Sequence, residues 1–143
     1  MLMRNRNRSQ SESRRRGAAM VEFAVVAPVF LIMVVGILEL GRAIVVQQLL
    51  TNASREGARI GGYDTTTSTS TVTTAVNSYL SNLGISGATT TVSPNTLSTL
   101  QDGNSVSVTV SIPFSRVSYL PSPVYFGSTS LQATTVMLRQ PAL

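Results

Sequence analysis

Residues 14–62 decide the fold of this chain, and they read RRRGAAMVEFAVVAPVFLIMVVGILELGRAIVVQQLLTNASREGARIGG. Three arginines and a glycine precede an apolar run from Ala18 to Leu38 that contains one charged residue, Glu22. As a helix this run is about 31 Å long, which matches a hydrocarbon core of about 30 Å. A helix satisfies its own backbone in lipid, whereas a single strand cannot close a barrel. The sequence therefore predicts one membrane-spanning helix.

Two other interpretations of the apolar run are less consistent with its surroundings. A secretory signal peptide has a shorter apolar region and a cleavage site of small residues, but this run continues into a helical pattern from Leu40 to Val46. A buried helix of a soluble protein does not need an arginine cluster beside a run of spanning length. We therefore interpret residues 18–40 as a membrane anchor.

The basic charge of the chain is concentrated before this run. The formal net charge is +5, and the arginines that precede the run are Arg4, Arg6, Arg8, Arg14, Arg15 and Arg16. By the positive-inside rule this cluster keeps the N-terminus in the cytoplasm and sends the remainder across the membrane. Since the remainder is nearly neutral, the charge predicts topology, and we do not expect a nucleic-acid partner.

The residue inventory argues against an enzyme. The chain has no cysteine, histidine or lysine, which removes disulfides, the commonest general base and the Schiff-base amine. Beyond Tyr63 its carboxylates are Asp64 and Asp102, whereas a calcium site needs six to eight oxygen ligands. We expect no catalytic residue, cofactor, metal or small-molecule substrate.

Two residues inside the predicted span are unusual. A carboxylate such as Glu22 costs about 2.5–3.5 kcal/mol at mid-membrane and usually has a partner there. Alternatively, Glu22 lies close enough to the start of the span to reach the headgroup layer. Pro28 removes the hydrogen bond to the carbonyl of Ala24, so we predict a kink or a locally loosened helix.

The predicted helix continues beyond the membrane and carries a narrow face of small residues. Ser54, Gly57, Ala58 and Gly61 follow the spacing i, i+3, i+4, i+7. Such a face lets a second helix approach closely, or it packs against the protein's own domain, and the sequence leaves both alternatives open. Glu39/Arg42 and Glu56/Arg59 are spaced as helix-supporting ion pairs.

The remaining chain predicts a small α+β domain. Residues 65–71 form a polar Thr/Ser stretch that ends in an N-cap, and an amphipathic helix follows from Val72 until Gly84 ends it. Residues 88–93, 105–112 and 131–139 have the composition of strands, and 105–112 alternate strictly. One helix on a three- to four-stranded antiparallel sheet is expected, with the outward half of the long helix completing the core.

The segment from Pro113 to Ser130 is long for a loop in so small a domain. It carries Tyr119, Tyr125 and Phe126, and loops of this length are often functional. The aromatic residues either anchor a partner or close one end of the sheet core.

The sequence around Gly17 resembles a type IV prepilin processing site, with a basic leader, a glycine and then Glu22. The longer string GAAMVEFAVVAPVF, with GILELGRA and TNASREGARIGG, resembles the TadE-like family. These proteins are minor pilins or pseudopilins of the tight-adherence (Flp-type) pilus and secretion machinery.

The resemblance implies a role for three residues. A membrane prepilin peptidase would cleave between Gly17 and Ala18, and Glu22 would then be the fifth residue of the mature chain. In pilin-like proteins this glutamate is thought to pair with the free amino group of a neighbouring subunit. The implied partners are the membrane, other pilin-like subunits, the peptidase and the pilus assembly platform.

The expected organisation is a basic leader at residues 1–17, a long helix at 18–62 and an extracytoplasmic domain at 63–143. The expected function is that of a structural assembly subunit in the bacterial inner membrane. The alternative is an unprocessed single-pass envelope protein whose outer domain binds a surface or a secreted partner.

Overall fold

The computed structural model describes residues 6–120 and 127–141, and for residues 6–14 the backbone alone. It contains helix α1 (Arg6–Gly61), helix α2 (Thr69–Asn82) and the strands β1 (Thr89–Ser93), β2 (Ser105–Pro113) and β3 (Ser130–Leu138). A short 3-10 helix, Phe114–Arg116, follows β2. The predicted α+β fold is confirmed, with a three-stranded sheet.

Helix α1 is longer than the sequence predicts. It begins at Arg6, inside the segment interpreted as the basic leader. The stretch before Gly17 contains no proline and no glycine. It does contain arginine, glutamine and glutamate, which are good helix formers. The helix is continuous through Pro28 and ends at Gly61, close to the predicted end at residue 62.

The chain divides into two compact units, Met1–Leu38 and Glu39–Leu143. In the first unit, the side chains of α1 from residue 20 to residue 38 are mostly apolar, and they are exposed or half-buried. The second unit has a continuous core, to which α1 contributes Val46, Leu50, Ala53 and Ala58. The outward half of α1 thus completes the core of the domain, as predicted.

The sheet is an antiparallel meander in the order β1-β2-β3. The strict alternation of β2 places Val106, Val108, Val110 and Ile112 on one fully buried face, as predicted. Residues 101–104 form a turn, in which the Asn104 N–H donates to the Gln101 carbonyl at 3.2 Å. Gly103 there has φ +84°, which a type II turn requires at its third residue.

Helix α2 begins earlier than predicted. Ser68 is its N-cap and accepts a hydrogen bond from the Ser70 N–H, so the helix includes the last residues of the polar stretch. Serine and threonine are poor helix formers but good caps, so composition alone favoured a later start. The predicted end at Gly84 is confirmed, because this glycine has φ +75° and its N–H donates to the Ser81 carbonyl.

Candidate membrane anchor and assembly segment

The described part of α1 is long and apolar enough to cross a membrane, judged by length and composition. None of its most apolar stretch is buried in the protein's own fold. Met20 and Phe23 expose 74% and 72% of their surface, although such side chains are ordinarily buried in soluble proteins. This exposure contradicts a buried helix of a soluble domain and agrees with a helix whose surroundings are lipid or other apolar helices.

The two residues of the predicted processing site are exposed and helical. Gly17 and Ala18 both lie within α1, and a methyl group added at Gly17 would meet nothing within 4 Å. The fold of the described residues therefore does not require glycine at this position.

Glu22 lies on the exposed surface of α1 between Val21 and Phe23. It forms no ion pair with another described residue. Within the described residues its carboxylate is thus open to a group from elsewhere. Pro28 is also inside the helix, and the kink there stays a prediction.

The first helix turn of the second unit binds the segment that follows β2. Glu39 is only 1% exposed, and its carboxylate accepts hydrogen bonds from Ser118 Oγ at 2.7 Å and from the Tyr119 N–H at 3.0 Å. Arg42 Nε donates to the Val117 carbonyl at 2.9 Å. We call these five residues the loop clamp.

The loop clamp corrects the prediction that Glu39 and Arg42 form an ion pair with each other. No such pair occurs among the described residues, and each side chain binds the 117–119 segment instead. The physical reason is burial. A buried carboxylate needs hydrogen-bond donors, and the Ser118 hydroxyl and the Tyr119 N–H provide them.

The face of small residues on α1 lies inside the domain. Ser54 and Ala58 are fully buried, and a methyl group added at Gly57 would lie 2.6 Å from Val76 Cγ2. Of the two alternatives that the sequence left open, the structure shows packing against the protein's own domain. Gly57 and Gly61 are buried as well. Ser54 Oγ also lies 2.8 Å from Thr135 Oγ1 of β3.

The predicted aromatic loop is described only in part. The Tyr119 ring is 71% exposed and lies 5.3 Å from the Arg42 guanidinium carbon, so it does not close the core. Phe114 and Val117 are buried in the core cluster instead, and the sequence reasoning did not single them out. Tyr125 and Phe126 lie outside the described residues.

The predicted Glu56–Arg59 pair is confirmed, with a shortest distance of 2.6 Å. The hydrogen bonds that Arg59 donates lower the pKa of the Glu56 carboxyl. The pKa of Arg59 is raised by these bonds to Glu56 and by a further hydrogen bond to Tyr63. Both side chains are substantially exposed. Exposed pairs of this kind contribute little to stability, so this pair supports the helix and does not form a site.

A buried cation lies near the end of α1. Arg139 is 5% exposed, and its guanidinium donates to the carbonyl of Asp64 at 2.8 Å and to that of Thr66. Sequence reasoning treated Arg139 as the last residue of a strand, but β3 ends at Leu138. These contacts tie the chain after β3 to the chain after α1, where Gln140 N donates to the Gly62 carbonyl at 2.8 Å.

The described residues thus contain one exposed apolar helix that is long enough to cross a membrane, and a small α+β domain. A family model described as TadE-like protein matches residues 17–59, which confirms the resemblance over this segment. That family is structural and is not known for enzymatic activity. Neither the curated proteins nor the solved structures contain a significant match to this chain.

Proposed function

We propose that this protein is a minor pilin or pseudopilin, a structural assembly subunit of a tight-adherence pilus or secretion system. The observation that carries the proposal is that the segment matching the TadE-like family contains the apolar helix that the protein's own fold leaves uncovered. A helix of this kind is stable only in lipid or among other apolar helices. In a pilus-associated protein, both environments are supplied by the membrane and by neighbouring subunits.

In this proposal residues 1–17 form a leader that stays in the cytoplasm, and residues 18–40 cross the inner membrane. The arginines before the span support this orientation, because cytoplasmic flanks are enriched in arginine and lysine. Residues 63–143 then lie outside the cytoplasm. A prepilin peptidase removes the leader after Gly17, and the mature chain joins other pilin-like subunits at the assembly platform.

Substitution of Gly17 by alanine tests the processing step. We expect Gly17→Ala to remain full-length in a host that carries a prepilin peptidase, while the unchanged protein begins at Ala18. Gly41→Ala is the matched control, because Gly41 is also a helical glycine whose added methyl group would meet nothing within 4 Å. N-terminal sequencing of protein recovered from membranes distinguishes the outcomes.

A mature Gly17→Ala protein that still begins at Ala18 would contradict the proposed recognition of Gly17. If the unchanged protein itself begins near Met1, the alternative of an unprocessed envelope protein is favoured instead.

Substitution of Glu22 tests its role in assembly. We propose that its carboxylate pairs with the free amino group of a neighbouring subunit, which would provide the partner that a charge in lipid needs. Glu22→Gln should therefore lose association with other pilin-like subunits, measured by cross-linking, while it remains in the membrane fraction after carbonate extraction. Asp102→Asn, which removes an exposed carboxylate outside the span, should associate normally.

Normal cross-linking of Glu22→Gln would show that the carboxylate is not needed for assembly. Loss of membrane retention in that variant would show that Glu22 acts in insertion, which also contradicts the proposed pairing.

A further inference from the structure

An exposed tyrosine is held at the helix turn that directly follows the predicted span. The Tyr119 N–H donates to the carboxylate of Glu39, and Glu39 is the next residue after Leu38, where the apolar run ends. These contacts fix the backbone of Tyr119 and leave its side chain 71% exposed. The backbone of Tyr119 is therefore held beside the residue that follows the apolar run.

The uncovered side of α1 remains apolar past this turn. Leu40, Ile44 and Val45 expose 50%, 52% and 47% of their surface, and the next exposed side chain along the helix is the polar Gln48. An apolar surface that continues beyond Glu39 indicates that the membrane–water interface reaches at least the Glu39–Arg42 turn. Tyr119 is then at the level of the interface.

The chemistry of the loop clamp suits that location. Tyrosine is enriched at membrane interfaces because its ring is apolar and its hydroxyl is polar, and arginine extends its charged group toward lipid headgroups. The carboxylate of Glu39, which would be repelled by anionic lipid, is buried and accepts hydrogen bonds from Ser118 and Tyr119. The exposed part of the clamp is thus the Tyr119 ring, and the half-buried Arg42 lies beside it.

We propose that Tyr119 and Arg42 form an interfacial anchor, which binds the headgroup layer of the membrane that α1 crosses. The occupant is lipid of the extracytoplasmic leaflet. This inference rests on the proposed function, because it requires that residues 18–40 span the membrane. The anchor would hold the 117–119 segment of the domain at the membrane surface before the subunit is assembled.

The same domain contains a matched control for this anchor. Arg59 lies 5.9 Å from the ring centroid of Tyr63, and Tyr63 is 40% exposed. It follows the end of α1, so it lies about 33 Å of helix beyond Glu39 at 1.5 Å per residue. The two Arg–Tyr pairs share their chemistry and differ in their distance from the predicted span.

Tryptophan fluorescence tests the anchor, because the chain contains no tryptophan. The variants Tyr119→Trp, Tyr63→Trp and Phe30→Trp, each in the full chain, are reconstituted into phosphatidylcholine–phosphatidylglycerol vesicles with and without brominated acyl chains. Phe30 is an exposed residue of the predicted span and reports insertion. We expect Tyr119→Trp to lose emission to bromines placed near the headgroups, as an interfacial ring should, and Phe30→Trp to lose emission to bromines placed deep in the acyl chains. Tyr63→Trp should lose none to either.

The outcomes separate the anchor from the span. Quenching of Phe30→Trp without quenching of Tyr119→Trp would overturn the anchor and leave the proposed function intact, as would equal quenching of Tyr119→Trp and Tyr63→Trp. An unquenched Phe30→Trp would overturn the span, and the anchor with it.

Discussion

The buried carboxylate of Glu39 shows how a single residue joins the helix to the domain. It is 1% exposed and receives a side-chain and a backbone hydrogen bond from residues 118 and 119. Buried donors that lose their acceptor retain the full cost of desolvation. Glu39 therefore stabilises the segment after β2 more than an exposed carboxylate of the same helix could.

Removal of this carboxylate should destabilise the second unit. We expect Glu39→Ala to lower the free energy of unfolding by about 1–3 kcal/mol, because the Ser118 hydroxyl and the Tyr119 N–H lose their acceptor. Glu39→Gln keeps one acceptor oxygen and should lose less. Urea unfolding in detergent micelles, followed by circular dichroism, measures the difference.

The exposed Glu56 provides the control. Glu56→Ala should unfold close to the unchanged protein, since exposed ion pairs contribute little. Equal stability of Glu39→Ala and Glu56→Ala, with unchanged hydrogen exchange at the Tyr119 amide, would contradict the role assigned to Glu39.

Sequence reasoning identified both residues of this turn but assigned them the wrong partners. The spacing of Glu39 and Arg42 predicts an ion pair within the helix. Instead, Glu39 accepts a hydrogen bond from the side chain of Ser118, which is 79 residues away in the sequence. Local spacing reports neighbours on one element and contains no information about contacts between distant segments. The burial of Glu39 could therefore not be predicted from the helix alone.

At the scale of elements, the two parts of α1 differ in the exposure of their apolar side chains. Its first part exposes apolar side chains, and its second part buries Val46, Leu50, Ala53 and Ala58 in the domain core. Gly57 lies where this second part approaches α2 and β2. An added methyl group there would lie 2.6 Å from Val76 Cγ2 and 3.0 Å from Val108 Cγ1.

Gly57→Ala should destabilise the domain although alanine is the better helix former. The clash with two β-branched side chains should cost about 1–3 kcal/mol, which exceeds the gain of roughly 0.5–1 kcal/mol from replacing a helical glycine. Gly41→Ala, whose added methyl group has open space, should show only the gain. Thermal unfolding in micelles compares the two, and a Gly57→Ala protein as stable as Gly41→Ala would show that the packing at Gly57 is loose.

The features that the sequence predicted well are those that depend on local burial or on local backbone conformation. The alternation of β2 and the glycine that ends α2 are examples, because each is a local consequence of burial or of backbone conformation. The start of α1 and the start of α2 were placed too late. Both starts lie in polar stretches, where composition distinguishes poorly between a loop and an exposed helix.

At the scale of the whole molecule, we propose that one helix anchors one domain. The family match over residues 17–59 was expected from the string GAAMVEF together with NASREGAR. The contacts of the loop clamp and the roles of Gly17 and Glu22 could not be established from the sequence alone. The loop clamp depends on tertiary contacts, and the roles proposed for Gly17 and Glu22 depend on proteins that are not part of this chain.

Cysteine labelling in intact cells tests the anchored topology most directly, because the chain has no cysteine of its own. Ser13→Cys lies before the span and Thr99→Cys lies on the exposed surface of the domain; both are placed in the Gly17→Ala background so that the leader is retained. Our account predicts that a membrane-impermeant maleimide labels Thr99→Cys and reaches Ser13→Cys only after lysis, with both proteins remaining in carbonate-washed membranes. Labelling of Ser13→Cys in intact cells, or release of the protein by the carbonate wash, would contradict it.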